Sequence, residues 1–205
     1  FETIQDFVPL KELAFLQMDY PEVYARLWGK VGESMFRIWE IFLERYKENF
    51  AVCRFGDDLG FSSSTLINPN DIRTYIIPQY KRVVDLVHQH GKPFLLHSCG
   101  AIFSVMDDII GVAGINAKHS NEDNIAPFSR WVADYGDKIG NFGGIEMNML
   151  CLNTPAEIDE YVRDVLQETE GKPGIAIGSG NQIADYVQPD GFLTMVETVR
   201  KFRGE

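Results

Sequence analysis

Between residues 21 and 48, apolar side chains recur at steps of three and four. Val23, Leu27, Val31, Met35, Ile38 and Phe42 therefore share one face of a predicted helix. Pro21 suits the first turn of that helix, where a missing N–H costs nothing. A shorter helix precedes it over 9–19. Next, the apolar run Phe50 to Phe55 ends in Gly56-Asp57-Asp58, the pattern of a strand opening into a polar loop. Helix and strand patterns then alternate to the end of the chain. Helices are predicted over 69–90, 102–110, 127–135, 155–170 and 190–203, and further strands over 93–97, 114–118, 138–142 and 175–177. Asn68 caps the first of these helices, with Pro69 at its first position and Gly91 as its stop. Thr154 and Glu157 form a capping box before another.

The strands are short and apolar with little polar alternation, which predicts parallel strands buried on both faces by helices. No G-x-G-x-x-G opens a helix after the first strand and no Walker-type G-x-x-x-x-G-K occurs, so a dinucleotide or P-loop reading has no support. Polar residues collect just past the strands. They are Asp57-Asp58, His97-Ser98-Cys99, His119 to Asp123, Gly143-Gly144-Ile145-Glu146 and Gly178-Ser179-Gly180-Asn181. In a (β/α) barrel such loops share the face that carries the chemistry, whereas a doubly wound sheet gathers ligands mainly at one switch point. A TIM-type (β/α)8 barrel typically needs about 250 residues. The expectation is therefore an α/β chain of one domain, 1–205, holding the C-terminal part of a (β/α)8 barrel behind a helical lead-in over 1–48. Unless another segment covers them, its first and last strands would be open edges. The chain does not open on Met, which predicts residues upstream of Phe1.

Hydrophobic residues at 45% and charged residues at 24% are ordinary globular proportions. No apolar stretch is long enough to span a bilayer and no secretion leader opens the chain. The formal net charge of −11 disfavours nucleic acid as a partner. Cys53, Cys99 and Cys151 make no disulfide framework and read as reduced thiols of a cytoplasmic protein.

Among candidate chemical groups, His97 and Cys99 stand out, because side chains two apart on a strand point the same way. Imidazole and thiolate then converge on one ion, for which zinc is the natural candidate. Cys151 is the candidate third ligand and Glu146 a weaker one; the alternative is a buried His and Cys filling a barrel top. One of Asp57 and Asp58 can enter the mouth to bind a substrate N–H or act as a base, or else one caps a turn and the other is solvated. His119, at a strand end, is a candidate acid, base or substrate ligand. Gly178, Ser179, Gly180 and Asn181 form a glycine-rich turn whose N–H groups are a candidate cofactor or anion cradle. For Gly143-Gly144 the simpler reading is a tight turn. His88 and His90 at a helix end, and Tyr20, Tyr24, Trp28, Phe36 and Trp39 at helical spacing, read as structural and core positions.

From Asp57 onward the chain resembles the uroporphyrinogen decarboxylase superfamily, which includes cobalamin-dependent methyltransferases. The stretches that carry the resemblance are GDDLGF at 56–61, PQYKRVVDLVHQHGKP at 78–93 and LLHSCG at 95–100. AKHSNED at 117–123, YGDKIGNFGGIE at 135–146, TPAEIDEYV at 154–162 and IGSGNQIADYVQPDGFLTMVE at 177–197 follow in order. The resemblance implies a (β/α)8 barrel with this chain supplying strands four to eight. His97 and Cys99 match the H-x-C with which the methyltransferase branch binds zinc. Thiol methyltransferases place a third Cys in the glycine-rich turn of the last strand, where this chain has Ser179, which leaves Cys151 or Glu146 to complete the zinc. The implied activity is zinc-assisted methyl transfer between a small methyl donor or acceptor and a separate corrinoid protein, with Asp58 and His119 orienting the substrate. The alternatives are porphyrinogen decarboxylation and a non-catalytic barrel remnant that serves as a binding subunit. The decarboxylase branch makes dimers, so the resemblance also raises a homodimer.

Overall fold

The computed structural model describes residues 1–205. Its five strands are β1 (Cys53–Gly56), β2 (Phe94–His97), β3 (Ala117–His119), β4 (Gly140–Ile145) and β5 (Ile175–Ser179). They form one parallel sheet in chain order. A doubly wound sheet reverses its order at a switch point, whereas consecutive order is what successive β/α units of a barrel produce. The α/β class and the β/α repetition expected from the pattern are therefore present.

The chain divides into two compact units, the first Phe1–His97 with Ala101–Asn116 and the second Ser98–Gly100 with Ala117–Glu205. The first carries α1 (Glu2–Gln5), α2 (Leu10–Asp19), α3 (Pro21–Tyr46), α4 (Pro69–Asp71), α5 (Ile77–Gln89) and α6 (Phe103–Asp108). The buried positions of α3 are Tyr24, Trp28, Gly32 and Leu43, one place on from the expected stripe, while Val23, Ile38 and Phe42 are exposed. The two stripes have the same period, and the aromatic one buries more apolar area, so the helix rolls to bury it. Tyr24 and Trp28 pack edge-on with ring centroids 5.7 Å apart, and Tyr75 meets both. Asn68 caps α4 as expected, but 69–90 is not one regular helix. Over Ile72–Ile76 it widens to a π turn, where the Ile77 N–H donates to the Ile72 carbonyl. Pro78 explains the widening, because it offers no N–H to the carbonyl four residues back. A second π turn over Ile109–Ala113 lengthens the helix after β2, and Gly114 ends it at φ 80°. Gly114 is thus a helix stop, and the third strand begins later than expected, at Ala117.

The second unit carries α7 (Phe128–Tyr135), α8 (Met147–Leu152), α9 (Pro155–Thr169) and α10 (Pro189–Arg203). Its core joins Phe128 and Val132 of α7, Ile158, Val162 and Leu166 of α9, and Met195 and Val199 of α10. The capping box at Thr154 and Glu157 is present, and it holds the start of α9. Strand β4 runs three residues further than expected, so Gly143 and Gly144 lie within it and are not a turn after it. Gly143 has φ 119°, and a Cβ there would meet the Asn121 side chain. That glycine serves a close approach between neighbouring segments. Helix α8, absent from the sequence reading, starts at Met147, just after Glu146, whose carboxylate caps it.

Candidate metal centre

In the first unit, parallel pairing sets Gly56 opposite His97, so the residues that follow β1 leave the sheet at the level of the imidazole. The Asp57 N–H donates to the His97 carbonyl at 2.9 Å and extends the ladder by one bond. Successive side chains then face opposite ways, and the two aspartates part. Asp57 is 2% exposed; it accepts from the Tyr80 hydroxyl at 2.6 Å and from the Glu2 N–H at 2.7 Å. Burial, then the Asp57 charge, pushes the Tyr80 phenol well above its ordinary value, so it remains a protonated donor. Asp58 is half-buried, its Oδ1 3.7 Å from His97 Nε2, and its N–H donates to a Glu2 carboxylate oxygen at 2.9 Å. Burial, ahead of the neighbouring aspartates, raises the Glu2 carboxyl.

Two residues past His97 comes Cys99, which is in no disulfide. One ligand atom each of Asp58, His97 and Cys99 lies within 4.8 Å of the others. The 3.7 Å between Asp58 and His97 is too long for a hydrogen bond. It is near the roughly 3.4 Å expected of oxygen and nitrogen donors sharing one tetrahedral zinc. A thiolate, an imidazole and a carboxylate also form a donor set that suits zinc, so the residues present fit that ion. Cys99 Sγ accepts from the Ser120 hydroxyl at 3.2 Å and from Asn181 Nδ2 at 3.5 Å.

The other expected groups have different surroundings. Cys151 lies on α8 and packs against the apolar core of the second unit. Besides capping α8, Glu146 accepts the Asp123 N–H at 2.8 Å and so braces the loop after β3. His119 Nε2 lies 3.0 Å from the Ser179 carbonyl, an acceptor, which assigns Nε2 as a protonated, donating nitrogen. Gly178 and Ser179 are the last residues of β5. Gly180 donates its N–H to the Ile145 carbonyl at 2.6 Å and accepts the Asn121 N–H at 3.0 Å. Asn181 lines a cleft of roughly 380 Å³ with Glu122, Glu146, Met147, Gln182 and Tyr186.

Three nearby residues are not among the candidate chemical groups that the sequence singles out. Ser120 is 2% exposed and reaches Cys99. Asn121, 6% exposed, accepts the Gly144 N–H at 3.0 Å. Lys118 is 1% exposed, with its ammonium 4.1 Å from the Trp131 ring centroid and donating to the Ser120 carbonyl. A lysine inside an apolar strand run was the one visible signal, since a buried ammonium needs partners. Asn121 and Ser120 carry no such mark.

The family model of uroporphyrinogen decarboxylase (URO-D) matches residues 8–202. A uroporphyrinogen decarboxylase from Syntrophotalea carbinolica is 25% identical over 195 residues, which are 95% of this chain and 52% of that protein. One from Citrifermentans bemidjiense is 25% identical over 204 residues, 96% of this chain and 53% of its own. The chain thus spans about half the length of the curated relatives it matches. A solved methyltransferase from Methanosarcina mazei superposes with a TM-score of 0.75 at 16% identity, over 97% of this chain and 55% of that one. At that identity the likeness is one of fold. No helix is long and apolar enough to cross a membrane.

Proposed function

The chain belongs to the URO-D family, and from that premise we propose that it serves a corrinoid-dependent methyltransferase, with His97, Cys99 and Asp58 holding a zinc ion. The observation that carries this reading is the convergence of one nitrogen, one sulfur and one oxygen donor within 4.8 Å. Asp58 would supply the third donor, while Cys151 packs against the apolar core of the second unit. Zinc, when bound, supplies Lewis-acid activation of a small thiol or methylated group. The methyl group would pass between that small molecule and a corrinoid carried by a partner protein. His119, held by the Ser179 carbonyl, would position the small molecule. Glu146 would act through the loop it braces, by way of the Asp123 N–H.

A decarboxylase reading has the names of the 25%-identical relatives in its favour. Against it, the buried Asp57 already accepts from Tyr80 and Glu2, which leaves its carboxylate committed to internal donors and not to pyrrole N–H groups. The two readings part in one assay. The full chain is loaded with zinc and incubated with methylcobalamin and a small thiol, while absorbance follows loss of the methyl group; a parallel sample receives uroporphyrinogen. Demethylation that disappears in Cys99→Ala is expected. Decarboxylation of the porphyrinogen without demethylation would reverse the assignment.

A further inference from the structure

Resting on the zinc reading above, we propose that Asn181 and Ser120 are positioning residues that tune the Cys99 thiolate through two hydrogen bonds to its sulfur. Both donors are oriented by the backbone. Asn181 Oδ1 accepts the Gln182 N–H at 2.8 Å, which settles the amide orientation and turns Nδ2 toward Cys99 Sγ, 3.5 Å away. Ser120 is buried, its carbonyl engaged by Lys118, and its hydroxyl donates to the same sulfur at 3.2 Å. The loop after β5 is brought close by Gly180, where a Cβ would strike the Asn121 carbonyl oxygen. The exchange of backbone bonds among Asn121, Gly180 and Ile145 then fixes where Asn181 stands. Two donors on one sulfur lower the energy of its lone pairs and fix its orientation, so the thiolate is presented to a metal already aimed. This gives the GSGN turn a purpose that requires no cysteine at Ser179. Asn181 also lines the cleft beside Glu122 and Glu146, so a small molecule there would lie against a residue that touches the sulfur.

The test uses Co²⁺ in place of zinc and reads the sulfur-to-cobalt charge-transfer band of the full chain. In Asn181→Leu and Ser120→Ala the band should move to longer wavelength, and competitive titration should show zinc affinity falling about tenfold in each. Ser120→Thr, which keeps the hydroxyl, should restore both. Thermal melts of each variant check folding, because a purely structural role would lower the melting temperature and leave the band in place. If the band vanishes in Cys99→Ala yet stays unmoved in Asn181→Leu and Ser120→Ala, the inference is overturned and the metal site stands. If the wild-type chain shows no Cys99-dependent band, the zinc reading is overturned and this inference with it.

Discussion

Two strand ends in this chain carry acidic or thiol groups under very different commitments. In the first unit, Asp57 is buried and accepts from Tyr80 and Glu2 in short, charge-assisted bonds. In the second, Cys99 accepts longer contacts from Ser120 and Asn181. A buried carboxylate must be satisfied by its own fold, because leaving it unpaired costs several kcal/mol. A sulfur needs less, and it keeps coordination capacity for an ion. Adjacent residues can split the same way, as Asp58 beside Asp57 faces His97. Polar residues at strand ends are thus not equivalent candidates, and the strength of the internal bonds already made to each one sorts structure from chemistry.

The sharpest break of this comparison exchanges the two aspartates. Asp57→Ala leaves the Tyr80 hydroxyl and the Glu2 N–H without an acceptor, and it should cost about 3 kcal/mol of stability in chemical denaturation. Asp58→Asn should leave the denaturation midpoint nearly unchanged, yet weaken zinc binding about a hundredfold in a competitive chelator titration, roughly 2.7 kcal/mol. Equal stability losses in the two variants would remove the distinction. Next in size, Gly143→Ala adds a Cβ at φ 119° against Asn121 and should destabilise by about 2 kcal/mol in the same denaturation experiment.

The smallest effect lies on α9. Hydrogen bonds from Arg163 and then Thr198 hold the Asp159 carboxyl below its ordinary 3.8. Its contribution is therefore complete above that value and lost as pH falls through the lower folded one. The pair is partly exposed and screened by solvent, so Asp159→Asn should remove only about 0.5 kcal/mol of acid-dependent stability, read from melting temperatures between pH 2 and 5.

Much of the fold was legible because local signals agree with the global arrangement. Asn68, Thr154 with Glu157, and the short apolar runs each mark an element that is present. Hydrogen-bond register left no apolar trace, so the π turns at Ile72–Ile76 and Ile109–Ala113 were invisible. On α3 two stripes of equal period compete, and only packing against Tyr75 and its neighbours decides between them. At the site, His97 and Cys99 were legible from strand periodicity. Asp58 was singled out as a substrate group, and its approach to His97 follows from pairing register, which no local pattern states. Ser120 and Asn121 look like loop formers; their roles arise from segments 21 and 23 residues away.

The central claim is that this chain builds a metal centre on His97, Cys99 and Asp58. Elemental analysis of the full chain, after zinc incubation and gel filtration, tests it directly beside Cys99→Ala and Cys151→Ala. About one zinc per chain is expected in the wild type and in Cys151→Ala, and none in Cys99→Ala. Zinc retained in Cys99→Ala, or absent from the wild type, would contradict it.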